Sequence, residues 1–166
     1  MSGVLPTEDG FKFVVIDSVG PGGFVCEVVG RICDGAHLYK NYWTGAIRWD
    51  CREVCVPSLE LVWDLEKHAG EAKFIRRSCR PSCVAHAVWV ENNLRLGVWA
   101  GPEGLQPGQE VTIAWDRPWD SLVCHVPCAC DKKAQPCAVA QWYAHRAQLA
   151  RSLPVVDERI GTRREE

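Results

Sequence analysis

The sequence predicts a mainly β fold of several small sheets, with a short helix near its C-terminal end. Three observations carry that expectation. Short β-branched and apolar runs recur along the chain, as in FKFVVID (residues 11–17) and FVCEVVGRI (24–32). Turn signals rich in Gly, Pro and Asn separate such runs at intervals of about eight to twelve residues. Helical spacing is confined to WYAHRAQLARS (142–152), where Tyr143, Ala147 and Ala150 share a face.

The 166 residues suit one domain with a sizeable core. A charged fraction of 24% and a hydrophobic fraction of 47% are those of an ordinary globular protein. The net charge of −2 makes no global electrostatic case for nucleic acid. Apolar runs are strand-sized, so no membrane partner is expected. The opening MSGVLPTEDG lacks the basic and apolar regions of a secretory signal. Ten cysteines without such a signal point to metal binding or buried thiols rather than a disulfide scaffold.

In chain order, residues 11–17 read as a strand and SVGPGG as a turn. Residues 24–32 read as a second strand, broken at Gly30. Residues 34–50 carry Tyr39, Tyr42, Trp43 and Trp49 without a clean period and read as a loop. CREVCV (51–56) alternates like a strand. Residues 65–72 hold Gly70 in mid-run and allow at most a short helix. Residues 84–90 and 94–99 form two strands joined by a Glu-Asn-Asn turn, the clearest hairpin in the chain. GLQPGQE is a turn, and residues 111–115 are a last strand. Pro154 ends the C-terminal helix, and the charged tail RIGTRREE reads as disordered.

Chemistry concentrates in three places. KFIRRSCRPSC (73–83) is a basic loop bearing Cys79 and Cys83. QEVTIAWD (109–116) is a β-branched run ending in Trp115 and Asp116. CHVPCACDKKAQPC (124–137) is a cysteine cluster containing Cys-x-Cys-x6-Cys at Cys128, Cys130 and Cys137. Zinc favours tetrahedral thiolate sites, and three clustered cysteines leave such a site one ligand short. Cys124 or His125 could supply a ligand, and reduced metal-free thiols are the plain alternative. Cys26, Cys33, Cys51, Cys55 and Cys83 lie in or beside strands and read as core.

The order and spacing of these segments resemble the SET domain, the fold of protein-lysine methyltransferases. That family carries an Arg-Phe-Ile-Asn-His-Ser-Cys-x-Pro-Asn loop, then Gly-Glu-Glu-Leu-Thr-Tyr-Asp-Tyr, then a post-SET cysteine segment. The Arg-Arg-Ser-Cys and Ile-Ala-Trp-Asp forms look most like the divergent mixed-lineage-leukaemia-five and yeast Set-three type. The resemblance implies several small β-sheets with a pseudo-knot, a post-SET zinc segment and a short C-terminal helix. It divides the chain into a SET region (10–123), a post-SET cysteine segment (124–142) and a helix with a charged tail (143–166). It also implies one structural zinc held by Cys79, Cys128, Cys130 and Cys137, although the six-residue gap is longer than the family's. It implies a chromatin protein in the nucleus whose partner is a histone tail or another chromatin protein.

The resemblance places S-adenosylmethionine, if the chain is active, against Gly10, Arg76, Arg77 and Trp142. The chain departs from the family at several of these positions. The entry segment reads GFKF, with only the first of two glycines, and close backbone approach needs a residue without Cβ. Arg76 and Arg77 replace the pocket Asn and His. A guanidinium beside a sulfonium adds repulsion of about 1 to 4 kcal/mol at about 4 Å. The catalytic Tyr position is Ile113, which has no hydroxyl. Trp115 is a bulkier wall than the usual Tyr or Phe. The expectation is a catalytically degenerate methyltransferase that acts by binding, with no catalytic residue assigned. The alternative is an active histone-lysine methyltransferase using other hydroxyls, such as those of Tyr39 or Tyr42. Lys73, Arg76, Arg77 and Arg80 also read as a basic face, solvated or turned to an acidic or nucleosomal partner.

Overall fold

The computed structural model describes residues 1–8, 10–34, 53–56, 59–65, 70–115, 127–130 and 135–152. The expectations for residues 35–52, Cys124, His125, Pro154 and the charged tail lie outside them. The described residues form four small sheets and one α-helix. No helix among them is long and apolar enough to cross a membrane.

Strands β1 (Ser2–Thr7) and β2 (Gly10–Val15) pair antiparallel from Ser2↔Val15 to Thr7↔Gly10. Sequence reasoning missed β1, because Pro6 and the polar start of the chain mask its pattern. Proline is tolerated at a sheet edge, and β1 is such an edge. Residues 24–32 are not one strand. They divide into β3 (Phe24–Val28) and β4 (Arg31–Asp34), which belong to different sheets. Gly30 lies at the crossing, where an added Cβ would stand 2.7 Å from the Asp64 carbonyl oxygen. β4 pairs with β6 (Leu61–Asp64), whose other neighbour is β5 (Glu53–Val56). β6 was also missed, although its Val62 and Trp63 are buried.

A single turn of 3-10 helix, Glu71–Phe74, follows Gly70 and leads into β7 (Arg76–Arg77). The hairpin of β8 (Cys83–Val90) and β9 (Asn93–Ala100) forms as expected, with β3 on the other side of β9. Its turn is tighter than the sequence implied. Val90 pairs with Asn93, leaving Glu91 and Asn92 at φ +48° and +62°. Those are the left-handed angles of a type I′ turn, whose twist suits a hairpin. The QPGQ turn closes with Gln109 N–H donating to the Gln106 carbonyl at 3.0 Å.

The last strand, β10 (Thr112–Ile113), is shorter than the predicted run 111–115. The chain before it is nonetheless held on both sides. Val111 N–H donates to Phe13 O at 2.8 Å, and Ser78 N–H donates to Ile113 O at 2.9 Å. Phe13, Val15, Leu96, Val98, Leu105, Val111 and Ile113 thus share one core. Helix α1 (Ala138–Ser152) begins earlier than the predicted residue 142. Val139 near its start is buried, while Ala147, expected to share a face with Tyr143, is exposed.

Candidate functional site

Segment 71–83 is clamped by β10, which comes later in the chain, after the β8–β9 hairpin. β7 lies parallel to β10 with Arg76 opposite Thr112 and Arg77 opposite Ile113. Beyond the ladder, Ser82 completes the clamp. Its Oγ accepts from Thr112 N–H at 3.0 Å and donates to Glu110 O at 2.9 Å. Its own N–H donates to Thr112 Oγ1 at 3.0 Å. The Thr112 hydroxyl is therefore a buried structural group. Ile113 is 2% exposed, in the core.

The basic cluster is solvated only in part: Lys73 and Arg80 are exposed, whereas Arg76 and Arg77 turn inward. Arg76 makes two charge-assisted bonds to Glu110, Nε to Oε1 at 2.6 Å and Nη2 to Oε2 at 2.7 Å. This is the fork geometry that suits guanidinium to carboxylate. Arg77 is 3% exposed. Arg80 reaches across to Gln135 and Pro136. Lys73 Nζ lies 5.1 Å from the centre of the Phe74 ring, and that ring packs against Phe11 at 5.2 Å.

Gly10 ends the β1–β2 hairpin at φ +124°, with open space where a Cβ would lie. Trp142 sits on α1, T-shaped against Tyr143 at 5.0 Å and under the Arg146 guanidinium at 5.2 Å. Trp115 packs against Cys128, Cys137 and Val139. Its buried Nε1–H finds no acceptor among the described residues.

The four expected sulfur ligands do converge. The Sγ atoms of Cys79, Cys128, Cys130 and Cys137 all lie within 4.8 Å of one another. A tetrahedral site with metal–sulfur bonds of about 2.3 Å needs sulfurs about 3.8 Å apart, so small shifts would close it on an ion. Backbone N–H groups already point at two of the sulfurs: Cys79 N–H at Cys128 Sγ, 3.2 Å, and Ala140 N–H at Cys137 Sγ, 3.4 Å. The second bond makes Cys137 the N-cap of α1. Burial opposes a thiolate at Cys128, but the hydrogen bonds of Cys79 and Cys130 outweigh it and pull the thiol down to about 7. Burial, then the Cys137, Cys128 and Cys79 sulfurs, push Cys130 up to about 12. Cys79 is also raised, chiefly by burial.

Of the cysteines read as core, Cys83 and Cys26 belong to it, whereas Cys33 lies on β4, whose other residues are exposed. Cys83 is buried and Cys26 half-buried, and burial with Cys83 nearby pushes the Cys26 thiol up to about 12. Sequence reasoning missed Glu110, Ser82 and Gln135. Each acts through a partner 28 or more residues away, and no local period marks such a pairing.

No family model matches the chain. Relatives do match over parts of it. The mouse inactive histone-lysine N-methyltransferase 2E is 33% identical over 81 residues, 49% of this chain and 4% of that protein. The Arabidopsis thaliana histone-lysine N-methyltransferase ASHR3 is 23% identical over 158 residues, 84% of this chain and 30% of that protein. An Emericella nidulans histone-lysine N-methyltransferase, H3 lysine-4 specific, is 34% identical over 71 residues, 42% of this chain and 6% of that protein. The chain thus spans between 4% and 30% of the length of these relatives. Among solved structures, a humanized mutant of the Chaetomium thermophilum Polycomb Repressive Complex 2 bound to an inhibitor shares the fold. The TM-score is 0.55 at 13% identity, over 69% of this chain and 14% of that one.

The small sheets, the clamped loop and the cysteine cluster define a SET fold with a post-SET segment. The chain has this fold, the relatives it matches over parts of its length are histone-lysine methyltransferases, and its Arg-Arg-Ser-Cys loop resembles the divergent mixed-lineage-leukaemia-five and yeast Set-three type.

Proposed function

We propose that the chain is a chromatin-associated SET-domain module that acts by binding and has lost methyl-transfer chemistry. The observation that carries this reading is the β7–β10 ladder, in which Arg77 lies opposite Ile113. The position of the pocket His and that of the catalytic Tyr are neighbours, and both are substituted. Methyl transfer to lysine needs an amine held in line with the sulfonium methyl and oxygens that orient it. Ile113 offers no such oxygen. The name of the mouse relative, an inactive methyltransferase, supports the same reading.

The residues at the cofactor positions do not fit a sulfonium ligand. Arg76 is engaged by Glu110, Lys12 stands where a second glycine would admit close approach, and Trp142 is stacked on its own helix. The cysteine positions fit a metal, and we assign one structural zinc to Cys79, Cys128, Cys130 and Cys137. The proposed division is a SET region (10–123), a post-SET segment (124–142) and a helix with a charged tail (143–166). The proposed partner is a histone tail or another chromatin protein, in the nucleus.

The competing reading, an active lysine methyltransferase, is favoured by the relatives named for that activity. A titration with labelled S-adenosylmethionine separates the two. The expected result is no saturable binding at micromolar concentration. A dissociation constant below about 10 µM, near −7 kcal/mol, overturns the degenerate reading, as does methyl transfer to histones by the wild-type chain.

A further inference from the structure

Arg80 follows Cys79 directly, yet its side chain leaves that loop. Nη1 donates to Gln135 Oε1 at 2.9 Å, and Nη2 donates to the Gln135 carbonyl at 3.0 Å and the Pro136 carbonyl at 3.4 Å. Those two residues immediately precede Cys137. The strap thus joins the loop that bears Cys79 to the residues that lead into Cys137, and both sulfurs belong to the four-sulfur cluster. Its backbone is fixed as well: Arg80 N–H donates to Ser78 Oγ at 3.0 Å, and that hydroxyl donates to Arg80 O at 2.9 Å. Ser78 is 1% exposed, so the anchor is rigid.

Two needs of a four-thiolate site meet at this side chain. The ligands come from sequence positions far apart, so the segment ending in Cys137 has to be held against the segment bearing Cys79. Four thiolates around a divalent ion also leave two negative charges, which a nearby cation offsets. A guanidinium has five donors in one plane, enough to bind several carbonyl oxygens of the facing segment at once while keeping its charge beside the Cys79 loop. A lysine carries the charge without the fork. We propose that Arg80 is the positioning residue of the metal centre, strapping the Cys79 loop to the segment that delivers Cys137 and setting its fixed charge against the thiolates. The proposal rests on the assignment of a metal to the four cysteines. Groups that hold a metal's ligands in place change affinity by about 10- to 100-fold when removed, and the exposure of Arg80 puts the expectation at the low end.

The test is zinc affinity of the 166-residue chain, measured by competition with a chromophoric chelator, for wild type, Arg80→Lys and Arg80→Ala. The melting temperature of each is taken with zinc bound and again after chelation. Arg80→Ala is expected to bind zinc about tenfold more weakly and to release it faster. Arg80→Lys is expected to fall between it and wild type. The two variants and wild type are expected to melt alike once the metal is removed. Zinc affinities within twofold across the series overturn the proposal and leave the metal assignment standing. An equal loss of melting temperature with and without metal also overturns it, because Arg80 would then serve the fold alone. A wild-type chain that takes up no zinc overturns both readings.

Discussion

Arg76 and Glu110, 34 residues apart, form a two-pronged ion pair at 2.6 and 2.7 Å in the place where the SET loop meets its last strand. Their side chains are 29% and 19% exposed, so the pair is partly shielded from water. This changes the argument about the cofactor. A bare guanidinium would repel a sulfonium, but one neutralised by a carboxylate repels it far less. The obstacle becomes occupancy and a committed hydrogen-bonding fork. Arg76→Asn is expected to leave the Glu110 carboxylate under-bonded and to destabilise the fold by about 1 to 2 kcal/mol, below the range for fully buried pairs. Arg76→Asn with Glu110→Gln is expected to recover part of that loss. Urea unfolding of the four proteins in a double-mutant cycle checks it, and strictly additive effects would show the pair to be uncoupled.

Restoring the missing hydroxyl alone is expected to fail. Ile113 is 2% exposed, and its carbonyl holds Ser78, so Ile113→Tyr places a larger side chain in a filled core at a cost of about 1 to 3 kcal/mol. The cofactor positions stay altered, and without bound cofactor there is no electrophile. Transfer of labelled methyl to a histone mixture is therefore expected from neither wild type nor Ile113→Tyr. The triple variant Ile113→Tyr, Arg76→Asn, Arg77→His is expected to exceed every single change. Activity from Ile113→Tyr alone would contradict the reading of the arginines.

Zinc uptake is expected to be steeply pH-dependent, and its sign follows from the thiols. Zinc binds thiolates, so each proton held in the metal-free site must leave. The Cys79 and Cys130 thiols are both raised, Cys130 to about 12, and so both hold protons through the neutral range. Affinity should fall by about a hundredfold per unit decrease in pH from these two groups alone. Below about 7, Cys128 also takes a proton and the slope should steepen. Calorimetry in buffers of different ionisation enthalpy counts the protons released. Cys130→Ser is expected to lose the metal and melt at lower temperature.

The parts of the fold legible in the sequence are those decided by neighbours along the chain. The 83–100 hairpin announces itself through alternation and an Asn-bearing turn. The cysteine spacing, with the SET resemblance, brings the four sulfurs to one place. The break at Gly30 was legible in 24–32, but the passage of its halves into different sheets was not, because both halves are apolar and the Asp64 backbone that stands against Gly30 lies far along the chain. The arginine run misled in part for the same reason, since Arg80 is exposed but Arg76 and Arg77 are not. Like charges in sequence suggest a solvated face, whereas Glu110 and the 135–136 carbonyls lie far along the chain. β10 was read as too long because apolar character continues past Ile113, yet Trp115 serves the cysteine core rather than the sheet.

The turn at 91–92 offers a test on stability alone. Glu91 holds φ +48° without being glycine or asparagine, and only those residues adopt that region at little cost. Glu91→Asn is expected to raise unfolding free energy by about 0.5 to 1 kcal/mol, since the type I′ turn favours Asn at that position. Chemical denaturation reads it, and an unchanged midpoint would mean the turn relaxes to another form in solution.

Cys137 joins the metal centre to α1, and the two roles can be separated. Its Sγ accepts from Ala140 N–H, and its carbonyl accepts from Gln141 N–H at 3.0 Å, opening the helix. The first turn of α1 has no acidic residue, so a thiolate there supplies the negative charge that a helix N-terminus favours. Val139 and Tyr143 pack on the cysteine cluster, while most of the described later positions are exposed. A helix of 15 residues is marginal on its own, so its order depends on this anchored end. Serine is a strong N-cap and a poor zinc ligand. Cys137→Ser is therefore expected to lose the metal but keep part of the helix. Cys137→Ala is expected to lose the metal and, lacking a cap worth about 1 kcal/mol, more of the helix. Circular dichroism with and without chelator reads both, and wild type should lose helical signal when the metal is stripped. Unchanged helicity in metal-free wild type would show that α1 stands without the centre that its cap helps to build.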